Sequence, residues 1–175
     1  DSSGYSGINF RGTNIQVRNN FVNHSALTRD DVGGIYTGYS GETGKVIDGN
    51  IVLNTIGTSA GTNTASSYTL APGIFVDDNG SFITISNNTV SGGNNSGIKI
   101  HNGHDLTIIN NTFYNNGVKG NTSRGQMEFM NNNQNLDPIR NNVLKKNVLL
   151  ATNNDQLVAL YTTILGLSDV QSYLS

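Results

Sequence analysis

"ITISNNTV" occupies residues 83–90, and a near copy, "LTIINNTF", occupies 106–113. Each reads as a short strand, an Asn-Asn turn and a second short strand, with β-branched residues at alternate positions. The same unit returns as "IQVRNNFV" (15–22), "KVIDGNIV" (45–52) and, more weakly, "VLKKNVLL" (143–150). Aligned, these copies put Asn20, Asn50, Asn88, Asn111 and Asn147 in one column. Val17, Ile47, Ile85, Ile108 and Leu144 form a second column, and Val22, Val52, Val90, Phe113 and Leu149 a third. A further strand precedes each copy or follows the last complete one: "SGINF" (6–10), "GGIYT" (33–37), "PGIFV" (72–76), "SGIKI" (96–100) and the degraded "GQMEF" (125–129).

Strands this short bury nothing alone. Stacked ~4.8 Å apart, they close a continuous apolar core, with equivalent residues above one another. The expected fold is therefore all-β: a right-handed parallel β-helix of about six turns with three short strands each. "QLVALYT" (156–162) opens the last turn, and 163–175 reads as an irregular end. One domain covers 1–175, with 57–71 as an inserted loop. The Asn column has two physical reasons. Asparagine tolerates the left-handed conformation that a turn uses, and stacked amides hydrogen-bond along the column. These asparagines read as turn formers, not ligands.

Composition narrows the function classes. The chain has 175 residues, no cysteine, 21 glycines and a formal charge of −2. Its ten basic residues are scattered, which gives no stripe for nucleic acid. No apolar run reaches the ~18 residues of a membrane span.

"DDVGGIYTGYSG" (30–41), "GIFVDDN" (73–79) and "GIKIHN" (97–102), with "NNTV" and "NNTF", resemble the secreted bacterial right-handed β-helix repeat proteins. That family includes polysaccharide lyases and glycoside hydrolases. The resemblance covers nearly the whole chain. It implies an extracellular or cell-surface protein whose partner is a polysaccharide or glycan. Members of the family are usually longer, so the chain reads as a segment of a larger protein whose further segments are candidate partners.

Alternation along the first strand of each turn places Asn9, Tyr36, Phe75, Lys99 and Glu128 in one outward column. Arg11, Gly38, Asp77, His101 and Met130 fall in the next, with Tyr39, Asp78 and Asn102 just past the edge. The outward column of the second strand, Gln16, Val46, Thr84 and Thr107, is chemically bland. Two long excursions, 57–71 and 117–125, re-enter beside the rich face and are expected to flank a groove.

Glycoside hydrolysis needs a proton donor and a second carboxylate. Asp77 and Asp78 crowd each other, which should raise one of their pKa values and suit a general acid. His101, one turn on, is placed to orient Asp77. Tyr36, Tyr39 and Phe75 are candidate sugar-stacking rings, and Lys99 and Arg11 candidate holders of an acidic sugar. Glu128 completes the substrate-binding set, or forms only a cross-strand ion pair with Lys99. The resemblance adds Asp31: polygalacturonases of this fold carry a paired Asp before a comparable strand, as "RDDVGGI" does. Asp31 lies at the other end of its strand, about 23 Å from Asp77 if the chain ran extended, so a direct pairing requires the turn to fold back.

No cofactor is required by this reading, and calcium at Asp77, Asp78 and nearby carbonyls is an option. The competing readings are a non-catalytic surface or carbohydrate-binding β-helix, in which Asp77 and Asp78 only form a turn, and a polysaccharide lyase. His24 and His104 read as structural.

Overall fold

A computed structural model describes residues 1–61, 69–118 and 124–163. The first turn holds β1 (Ile8–Asn9), β2 (Gln16–Arg18) and β3 (Phe21–Asn23). The second holds β4 (Ile35–Gly38), β5 (Lys45–Asp48) and β6 (Ile51–Leu53). The third holds β7 (Ile74–Asp77), β8 (Ile83–Ser86) and β9 (Thr89–Ser91). β10 (Ile98–His101), β11 (Thr107–Ile109) and β12 (Thr112–Tyr114) make the fourth. β13 (Gly125–Asn131), β14 (Val143–Lys145) and β15 (Val148–Leu150) make the fifth, and β16 (Leu157–Thr163) opens a sixth. First, second and third strands each stack into their own parallel sheet, here called A, B and C. This is the expected solenoid, and crossovers between parallel neighbours take the right hand.

The columns read from the sequence are columns in space. Ile35 pairs with Ile74, Ile74 with Ile98, and Ile98 with Met127 in sheet A. Val17, Ile47, Ile85, Ile108 and Leu144 run in register through sheet B. Val22, Val52, Val90, Phe113 and Leu149 do the same in sheet C. Most of these side chains are fully buried in one cluster. Each contributes about 1.5–3 kcal/mol relative to exposure, which is how strands of three or four residues persist.

The asparagine column is a continuous amide ladder. Asn20 donates its backbone N–H and its side-chain amide to Asn50 Oδ1, both at 2.9 Å. Asn50 does the same to Asn88, Asn88 to Asn111 and Asn111 to Asn147. The left-handed conformation falls one residue earlier than expected. Asn19, Gly49, Asn87, Asn110 and Lys146 have φ between 54° and 67°. The backbone thus turns at one residue, and the next uses its amide to bond across rungs.

Candidate functional site

β7 ends in Asp77, and the chain leaves the sheet through Asp78, Asn79 and Gly80. Asp78 and Asn79 both have positive φ, 34° and 61°, residue types that tolerate that region. The Gly80 N–H donates to the Asp77 carbonyl at 3.0 Å, and the Tyr39 N–H donates to that of Asp78 at 3.0 Å. The turn is therefore fixed by its own backbone and by the previous rung.

The Asp77 carboxylate is the hub. Oδ2 accepts from the Tyr36 hydroxyl at 2.7 Å. Oδ1 accepts the Asp78 N–H at 3.0 Å and lies 2.8 Å from His101 Nδ1. That same nitrogen is 3.4 Å from Asp78 Oδ1. On the far side of the ring, Nε2 is 2.8 Å from Asn132 Oδ1. The Asn132 oxygen only accepts, so Nε2 carries a hydrogen, and the short contact at Nδ1 holds a second proton. His101 is thus stabilised as an imidazolium. Its hydrogen bond to Asp77 raises its pKa against the opposing effect of burial. Burial by itself would raise Asp77, but the hydrogen bonds from His101 and Tyr36 outweigh it and hold that carboxyl below its ordinary range. Tyr36 is pushed up by burial and then by its bond to Asp77.

Asp31 also belongs to this neighbourhood. The segment before β4 turns at Asp31 (φ 55°). A Cβ on Gly33 would lie 3.1 Å from Phe75 Cβ, so the backbone there approaches the base of that side chain closely. Partial burial raises the Asp31 carboxyl, and the negative charges of Asp77, Asp30 and Asp78 raise it further, with His101 pulling the other way. The charges of the Asp77 cluster therefore act on Asp31. The acid with the raised pKa is Asp31, and Asp77, one of the two crowded aspartates, is lowered instead.

The outward column projects as expected, but it is not an open wall. Phe75 is 1% exposed and meets Tyr36 edge-on, with centroids 5.4 Å apart. Lys99 and Glu128, 1% and 0% exposed at their side chains, pair at 3.0 Å. Ser96 Oγ and Arg124 Nη1 add bonds of 2.5 and 2.7 Å to Glu128. Burial works against ionisation of Glu128, but Lys99, Ser96 and Arg124 overcome it. Phe75, Lys99 and Glu128 therefore lie inside, not on a groove surface. Arg11 sits on the ring of Tyr39, its guanidinium carbon 3.5 Å from the centroid. Asn132, Ser96 and Arg124 were not singled out in the sequence. Asn132 is hidden in the run "NNNQN", Arg124 lies outside the repeating columns, and Ser96 stands in the small-residue column that opens each first strand. Residues 62–68 and 119–123, the middles of the two excursions, lie outside the described residues.

Ligand atoms of Asp77, Asp78 and His101 lie within 4.8 Å of one another. A metal ion there would require His101 to give up a proton, because an imidazolium has no lone pair to offer. Calcium takes six to eight oxygens, so the two carboxylates would need neighbouring carbonyls or water beside them. Among the described residues, no helix is long and apolar enough to cross a membrane.

Stacked parallel sheets around an amide ladder, with polar chemistry on one outer face, define a β-solenoid. The family model described as "Right handed beta helix region" matches residues 1–148, and the chain belongs to that family. No curated protein and no solved structure matched the chain. The fold is compatible with proteins that act on polysaccharides.

Proposed function

We propose that the chain is the polysaccharide-acting domain of a secreted bacterial protein and that it hydrolyses glycosidic bonds at the Asp31, Asp77, Asp78 and His101 cluster. One observation carries the reading: the carboxyls of Asp77 and Asp78 and the His101 ring converge within 4.8 Å on one rung edge, with the Asp31 carboxyl raised by burial and by the negative charge of those aspartates. A carboxyl raised in this way suits a general acid. Asp31 donates the proton to the leaving oxygen. Asp78, with its side chain 45% exposed, is the second carboxylate open to substrate. Asp77 ties Tyr36 and His101 in place from behind. Lys99 is committed to Glu128 and Arg11 to Tyr39, which favours a neutral glycan over a uronate and a hydrolase over a lyase.

A second reading has its own support. Every oxygen of Asp77 already accepts a hydrogen bond within the protein, as in a turn built for shape. On that reading the same face binds glycan without cleaving it. Incubation with a panel of plant and algal polysaccharides separates the two. Reducing ends appear with the wild-type chain and fall at least about 100-fold in Asp31→Asn and Asp78→Asn if general acid–base catalysis operates. Glycan retention without release of reducing ends establishes the binding module instead.

A further inference from the structure

The corner between sheets A and B repeats a left-handed residue on every complete turn: Asn14, Gly44, Phe82, Asp105 and Asn141, with φ of 59°, 71°, 53°, 55° and 53°. The registers of β2, β5, β8, β11 and β14 stack these five positions. Asparagine, aspartate and glycine enter this conformation readily; for a bulky aromatic it is an outlier. Burial does not compensate Phe82, which is 53% exposed. Its ring meets His104 edge-on at 6.3 Å and an interplanar angle of 82°. Tyr39, φ 73°, is a second aromatic in the left-handed region. The two rings flank the Asp77–Gly80 turn, one on the preceding rung and one just downstream. Costly aromatic conformations beside a candidate site are what a functional constraint leaves behind.

The surroundings choose the ligand. Along the corner the neighbours of Phe82 are Gly44 and Asp105, so the ring stands alone and forms no apolar patch for a protein partner. Its rim is polar. His104 Nδ1 lies 2.5 Å from Asp105 Oδ2, and Nε2 lies 3.3 Å from Asp137 Oδ2. A single ring bordered by carboxylates fits a pyranose, which has an apolar C–H face and a hydroxyl edge. We propose that Phe82 is a sugar-stacking subsite that carries a glycan chain from the Asp77 cluster around the A–B corner. This inference rests on the glycan reading above.

The test pairs stability with binding. Phe82→Asn and Phe82→Gly are expected to raise Tm by a few degrees, on the order of 5 °C, because they relieve the backbone. They are expected to weaken binding of the best glycan from the panel about ten-fold, while Phe82→Trp retains it. A lower Tm in both variants shows that the ring is packing and overturns the proposal. A higher Tm with unchanged affinity overturns the subsite alone. A wild-type chain that retains no glycan overturns the functional reading and this subsite with it.

Discussion

His101 Nδ1 and Asp77 Oδ1 meet at 2.8 Å across one step of the solenoid, joining consecutive rungs through a charge-assisted bond. Each partner's titration reports that contact. His101 is raised from its ordinary 6.5, so its contribution is complete below 6.5 and is lost as pH rises through the folded value. Asp77 is lowered from 3.8, so its contribution is complete above 3.8 and is lost as pH falls through the folded value. The pair stabilises most between those limits. His101→Gln is therefore expected to lower Tm near pH 5–6, with a deficit that shrinks by pH 9; melting at several pH values checks this.

Asp31 has the opposite sign. A carboxyl raised from 3.8 destabilises the fold once it ionises, so the penalty appears as pH rises through the folded value. Asp31→Asn is expected to raise Tm at pH 7 and leave it unchanged at pH 3, while abolishing release of reducing ends. Thermal melts at the two pH values, beside the activity assay, test both halves.

Glu128 is buried with Lys99, Ser96 and Arg124. Glu128→Gln leaves the Lys99 ammonium buried without its counter-charge, at a cost of about 3–5 kcal/mol. Replacing both partners by Lys99→Met and Glu128→Leu is expected to recover most of that loss. Denaturant midpoints of the single and double variants measure the difference.

Asn88 is both acceptor and donor in the ladder. Asn88→Ala strands the Asn50 backbone N–H and the Ile47 carbonyl in a dry interior, and leaves the Asn50 side-chain amide only its bond to the Val17 carbonyl. At about 1–3 kcal/mol for each unsatisfied group, a loss of roughly 3 kcal/mol or more is expected. Chemical denaturation measures it, and amide hydrogen exchange at Asn50 is expected to accelerate.

The repeat was legible because translation along the axis makes each column its own witness: Ile47, Ile85 and Ile108 sit in register for the reason that they align. The tandem placement of Asp77 and His101 followed from the same logic. What the columns could not show was cover. Alternation gives the direction of Phe75, Lys99 and Glu128 but not whether chain lies over them. The close approach of the Gly33 backbone to Phe75 depends on how the chain enters β4, which alternation does not report. The resemblance named Asp31, but its coupling to Asp77 was not legible, since it depends on one left-handed residue in a stretch without a copy. The left-handed column was misplaced by one position because paired asparagines look alike in the sequence, and only Gly49 and Lys146 break the pairing.

The ladder asparagines are separated by 30, 38, 23 and 36 residues along the chain, yet each amide reaches the next at 2.9 or 3.0 Å. Contour length and axial rise are thus decoupled: the spine keeps its step whatever length of chain separates its asparagines. Surface segments on this scaffold can be lengthened, shortened or exchanged as cassettes, which lets ligand preference diversify without renegotiating the interior.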